Sequence, residues 1–174
     1  VADRILFESW DQLQLIAPPF LIRCGTAAVC GAIIGLERQL KGKPAGFRTN
    51  ILICLGSAMY MAVGLLVLFE DKVSSDPTRI AAQVVTGIGF LGAGCIIQER
   101  GRITGLTTAA SIWVVAAIGI VAGAGFPILA FIASAIVVTT LAVLGVVEDR
   151  FLAPYADDYP DNGDGEGRKD KRQR

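Results

Sequence analysis

Histidine is missing from all 174 residues. Its absence removes the usual general base near neutral pH and rules out Ser-His and Cys-His nucleophile pairs. Metal chemistry has little else to draw on. The four cysteines, Cys24, Cys30, Cys54 and Cys95, fall inside hydrophobic runs, and none has C-x-x-C spacing, so zinc and redox sites are not expected. The acids Asp157, Asp158, Asp161, Asp164 and Glu166 lack the spacing of a calcium loop. No catalytic residue, metal or cofactor is therefore expected, and the chain reads as a non-enzyme.

Charge is the second thing in short supply. Residues 103–147, about 45 positions, contain no Asp, Glu, Lys or Arg. As a helix rising 1.5 Å per residue this run would reach roughly 68 Å, against about 30 Å of bilayer hydrocarbon. It therefore holds two crossings, separated by Gly123-Ala124-Gly125-Phe126-Pro127, where glycines end one helix and a proline starts the next. With 53% hydrophobic and 18% charged residues and 20 glycines, the composition suits helices in close contact within lipid. The apolar runs are continuous rather than alternating, which points to helices and not to a barrel.

The expected fold is all-α, a polytopic membrane bundle of five transmembrane helices at about 18–36, 51–69, 80–97, 105–123 and 127–147. Residues 1–17 place Leu6, Trp10, Leu13 and Ala17 at helical spacing and read as an amphipathic helix on the membrane surface. Residues 18–148 form the five-helix domain, and 149–174 form a charged, disordered cytoplasmic tail. With neither a positive n-region nor a cleavage site ahead of it, the first span is expected to stay in the mature protein. Twelve Lys and Arg residues flank one side of these spans, among them Arg38, Lys41, Lys43, Arg48, Arg100 and Arg102. Only Arg4, Lys72 and Arg79 flank the other. The positive-inside rule then puts the N-terminus outside and the C-terminus in the cytoplasm.

Gly87, Gly89 and Gly92 spell a formal G-x-G-x-x-G, but a dinucleotide site needs a soluble strand-turn-helix, and these lie within an uncharged span. Close helix packing explains Gly87 and Gly94 better, as it does Gly31-xxx-Gly35 and Gly119-xxx-Gly123; a loosened helix lining a cavity is the functional alternative. Arg23, a turn inside span one, either snorkels outward or pairs with an acid such as Asp76. Asp76 and Pro77 read as a helix start. Gln83, a turn further in, is expected to hydrogen-bond between helices. The segment 37–50 is either a positive-inside anchor or a docking site for an anionic group or partner.

Three segments together resemble the MgtC/SapB family of bacterial membrane proteins. The first is Gly35-Leu36-Glu37-Arg38-Gln39 with Gly42-Lys43-Pro44-Ala45-Gly46-Phe47-Arg48-Thr49-Asn50. The second runs from Asp76-Pro77-Thr78-Arg79 through Gln83 and Gly87-Ile88-Gly89-Phe90-Leu91-Gly92-Ala93-Gly94. The third is Gly105-Leu106-Thr107-Thr108-Ala109-Ala110-Ser111-Ile112-Trp113, followed by Ala116-Ala117-Ile118-Gly119. The resemblance covers roughly residues 20–145. It implies a multi-pass protein of the bacterial inner membrane, linked to growth in scarce magnesium, stress adaptation and survival inside host phagocytes. It also implies a partner among membrane proteins, such as the membrane sector of the ATP synthase, or self-association; lipid is the surrounding medium and nucleic acid is not a partner. Many members continue into an ACT-like soluble domain, where here a short charged tail is expected. The functional residues carried over are Glu37, Arg38, Gly46, Arg48, Asn50, Asp76, Arg79, Gln83, Gly87, Gly89, Gly92, Gly94, Thr107, Thr108 and Trp113. Transport of Mg²⁺ or another small solute is the alternative, although Mg²⁺ calls for hard oxygen ligands near the midplane, and the acids sit at span ends.

Overall fold

The computed structural model describes residues 10–71, 76–99, 102–147 and 150. Five helices carry the chain: α1 (Trp10–Leu40), α2 (Phe47–Asp71), α3 (Thr78–Gly94), α4 (Leu106–Gly123) and α5 (Pro127–Val147). Four of them are long and apolar enough to cross a bilayer, over Gln14–Leu40, Phe47–Val67, Leu106–Gly123 and Pro127–Val147. The helix α3 has 17 residues and at about 26 Å falls short of the hydrocarbon thickness by itself.

Several boundaries differ from the sequence reading. The α1 helix is continuous from Trp10 and passes through Pro18 and Pro19, so residues 10–17 extend the first span's helix. Residues 1–9 and the tail beyond Arg150 lie outside the described residues. At its other end α1 runs on to Leu40, and α2 starts at Phe47. The segment expected as a 14-residue loop is therefore mostly helix, with a link of residues 41–46 turned by Gly42 at φ 63°. The third span ends early. After Gly94 a two-stranded antiparallel hairpin, β1 (Ile97–Glu99) and β2 (Arg102–Thr104), pairs Ile97 with Thr104 and Glu99 with Arg102, so the fold is not purely α. Gly105, at φ 87°, turns from β2 into α4, and a side chain there would strike the Cys95 carbonyl.

The break between α4 and α5 forms as read. Phe126 N–H donates to Val121 O and Gly125 N–H to Ala122 O, with Gly125 at φ 94°. That is a Schellman motif, and Pro127 then opens α5.

The core is built from small residues: Ala27, Cys30, Cys54, Ala58, Ala122 and Ala130, with Ile34, Val115 and Ile118. The α2 helix lies between two glycine pairs. On one side a Cβ at Gly31 would stand 2.7 Å from Asn50 O, and one at Gly35 would stand 2.8 Å from Phe47 Cα. On the other side a Cβ at Gly119 would collide with Cys54 O, and one at Gly123 with Ala58 O. Backbones that close gain dispersion contacts that lipid tails cannot supply to the same degree. The α5 helix leans on α1 and α4 and buries Ala130 and Ser134. Its hydroxyls are satisfied internally: Ser134 Oγ donates to Ala130 O, and Thr139 and Thr140 donate to carbonyls one turn back.

The glycines of α3 do not share this role. A Cβ at Gly87, Gly89 or Gly94 meets nothing within 4 Å, and only Gly92 approaches a neighbour, Ala109 of α4, at 3.6 Å. The expectation that Gly87 and Gly94 pack against other helices fails within this chain. α3 rests on α4 and stands away from α2 over most of its length, with Gly64 against Ile80 joining the two near one end.

Gly119→Ala should lower stability by about 1–3 kcal/mol through overpacking against the α2 backbone. Gly87→Ala should leave it unchanged or raise it by up to about 1 kcal/mol, the helix-propensity gain. Thermal unfolding of both variants in the same detergent checks the contrast.

Candidate functional site

The predicted residues fall into two groups at opposite ends of the bundle. At the end where α1 meets the head of α4, the guanidinium of Arg38 is buried (2% exposed), and its Nη2 donates to Thr108 Oγ1 at 2.7 Å. The Thr108 carbonyl accepts from Ser111 Oγ at 2.8 Å. Asn50, fully buried on the first turn of α2, donates through Nδ2 to the carbonyls of Ala45 and Gly46, each at 2.8 Å. Its side chain folds back onto the link residues and holds the turn that brings α2 against Gly35. Glu37 Oε1 lies 2.8 Å from Lys41 Nζ, and Lys41 in turn donates to Leu141 O of α5 at 3.0 Å.

Among the described residues, Arg38 Nε and Asn50 Oδ1 have no hydrogen-bond partner, and neither oxygen of Glu37 accepts a well-aligned bond despite the ion pair with Lys41. Nearby, Gly46 and Arg48 line a depression of about 620 Å³ beside Leu36, Gln39 and Phe47. Arg48 itself is exposed.

At the other end Asp76 begins α3. Its Oδ1 accepts from Thr78 N–H at 2.9 Å and its Oδ2 from the Thr78 hydroxyl at 2.7 Å, so it caps the helix as read. These two bonds, the hydroxyl's first, hold its carboxyl below the ordinary carboxylate range, with nearby Arg79 a smaller contribution. Arg23 is not paired with it. Arg23 Nη1 donates at 3.1 Å to Gly123 O, the last carbonyl of α4, where a cation favours the negative end of the helix. The sequence reading weighed snorkelling and acid pairing but not this use; the arginine's height in α1 opposite the glycine turn was the available signal.

Between the two ends a cleft of about 880 Å³ runs between α2 and α3, floored by Ile112 of α4. Arg79, Gln83 and Gly87 line it from α3, and Thr49, Gly56 and Tyr60 from α2. Among the described residues no carboxylate lines it. Gln83 makes no side-chain hydrogen bond among the described residues. Five predicted residues lie outside both cluster and cleft: Gly89, Thr107 and Trp113 are exposed, Trp113 at 49%, Gly92 is buried against Ala109, and Gly94 faces open space. The sequence reading missed Tyr60 and Gly56, which carry no pattern of their own and enter only because helices bring them alongside; Ser111, part of the third segment, enters through its bond to the Thr108 carbonyl. Among the described residues no three His, Cys, Asp or Glu side chains gather as a metal site.

Comparison with known proteins agrees with the three segments. Residues 25–150 match the profile described as MgtC family. A relative from Escherichia coli named "Putative magnesium transporter YhiD" is 53% identical over 131 residues, covering 73% of this chain and 60% of its own. Protein MgtC of Brucella abortus is 44% identical over 120 residues, 68% of this chain and 48% of its own. Protein SapB of Bacillus subtilis is 41% identical over 116 residues, 64% and 50% respectively. The chain thus spans about half to three-fifths of the length of these relatives. No solved structure matches.

Thr108→Val keeps the side-chain volume but leaves the buried Arg38 guanidinium short of an acceptor. It should cost about 1–3 kcal/mol, while Thr108→Ser, which keeps the acceptor, should cost only the buried methyl it removes, about 0.8 kcal/mol. Denaturant unfolding in detergent distinguishes the two.

Proposed function

Because the chain belongs to the MgtC family, we propose that it is a non-enzymatic, multi-pass protein of the bacterial inner membrane. On this reading it serves adaptation to low magnesium and stress by binding and modulating another membrane protein, such as the membrane sector of the ATP synthase. All five helices cross. The short α3 travels from the Gly64–Ile80 contact at one end to the Gly92–Ala109 contact near the head of α4, and the hairpin completes its passage. The N-terminus faces out, which sets Arg38, Lys41, Lys43 and Arg48 at the cytoplasmic surface.

The observation that carries the binding reading is the outer face of α3 and α4. Phe90 is 82% exposed, and Gly89 on α3 and Thr107 and Trp113 on α4 are exposed as well. Gly89 also faces open space. A helix face with small residues between aromatic ones suits another transmembrane helix. The buried Arg38 cluster holds the link and the head of α4 in register beneath it.

Transport of Mg²⁺ is the second reading, supported by the name of the Escherichia coli relative and by the presence of a cleft. Its difficulty is chemical. Mg²⁺ dehydrates reluctantly and favours carboxylate oxygens, whereas the lining of the cleft is apolar with an arginine at its mouth.

Purified protein in liposomes should show no saturable Mg²⁺ flux. Crosslinking in native membranes should capture the ATP synthase membrane sector. Gly92→Leu, which forces α3 off Ala109, should lose both that capture and growth complementation in low magnesium while still inserting; Gly92→Ala should keep them. Saturable flux abolished by Asp76→Ala would instead establish the transporter.

A further inference from the structure

We infer that the cleft between α2 and α3 is a specific site for one anionic glycerophospholipid, with an acyl chain lying along the groove and the phosphate at Arg79. This goes beyond the proposed function and needs only that the bundle sits in a membrane.

Shape suits the occupant. From Arg79 to Cys95 the groove follows about 24 Å of α3 and holds about 880 Å³, a long space that an extended hydrocarbon chain can follow along its length. The walls agree: Leu52, Ile53, Val84 and Leu91 are apolar, and among the described residues no acidic side chain interrupts them.

Two glycines line this groove from its two sides, Gly56 on α2 and Gly87 on α3, and a Cβ on either meets nothing within 4 Å. Unlike Gly119 and Gly123, they are not required by contact between helices of this chain. Their lack of side chains keeps the middle of the groove open.

Charge fixes the direction of the ligand. Arg79 lies at the mouth, exposed, and no carboxylate lies within ion-pair distance among the described residues. Its neighbour Asp76 is occupied with Thr78. A turn deeper, Gln83 comes level with Tyr60, since Gly64 meets Ile80 just above them. The guanidinium thus offers a forked donor to a phosphate at the boundary, with an amide and a phenol below it at the depth of the glycerol esters.

The test uses the full chain in phosphatidylcholine vesicles containing a trace of phosphatidylglycerol with a mid-chain diazirine. After irradiation, label should concentrate on residues 52–60 and 80–91 and be displaced by excess unlabelled phosphatidylglycerol. Gly56→Leu and Gly87→Leu, each placing a side chain in open space, should each reduce this labelling at least about tenfold without lowering the unfolding temperature, as expected when the groove itself is filled. Arg79→Gln should weaken displacement by phosphatidylglycerol about fivefold, the worth of one basic group at an anionic surface, and Arg48→Gln should not. Label spread over all exposed helices, α5 included, and indifferent to the leucines would overturn the site. So would an unlabelled groove that crosslinks instead to a second copy of the chain.

Discussion

Close approach of α1 and α4 to the backbone of α2 is the contact on which the rest of this structure depends. In lipid, exposed apolar side chains gain nothing by turning inward, so helices are held by backbone proximity and by the polar groups that proximity aligns. Gly31 and Gly35 on one side, and Gly119 and Gly123 on the other, admit α2 as far as Cys54 and Ala58. That depth sets Arg38 of α1 beside Thr108 at the head of α4, and Arg23 beside Gly123 at its foot. One pair of small-residue faces therefore positions the polar contacts at both ends.

The three family segments divide accordingly. The first and third meet where the buried Arg38 donates to Thr108. The second, on α3, borders a cleft and an outer face and takes little part in the core. The α1, α2 and α4 helices thus form a closely packed centre, and α3 touches it mainly through α4.

Much of this was legible from the residues. The charge-free run and its Gly-Pro break placed α4 and α5 nearly to the residue, because hydrocarbon thickness and Schellman geometry leave few alternatives. Asp76 and Pro77 announced the start of α3. The glycine pairs on α1 and α4 were read correctly as packing faces, but the same reasoning failed for Gly87 and Gly94. Small-residue spacing shows that a helix is able to approach another, not that a neighbour is there. The hairpin at 97–104 escaped because its strands are three residues each, too short to show an alternating pattern, and its charges read as a loop between spans. The segment 37–50 looked like loop because it is polar. It is mostly helical because Asn50 donates to the link carbonyls of Ala45 and Gly46 and Gln39 of α1 accepts from Phe47 N–H at the start of α2, which lets a six-residue link join the two helices.

By itself the sequence determined that the chain enters lipid, where four of its apolar segments lie, and which family it belongs to. Hydropathy is a sum over local side chains, and the family segments are contiguous runs. Only the tertiary structure decided which glycines touch a neighbour and what partners Arg23 and Arg38 take. It alone opened the cleft between α2 and α3. Those outcomes depend on pairs of positions up to 100 residues apart, and on the distance between two backbones, which no single segment contains.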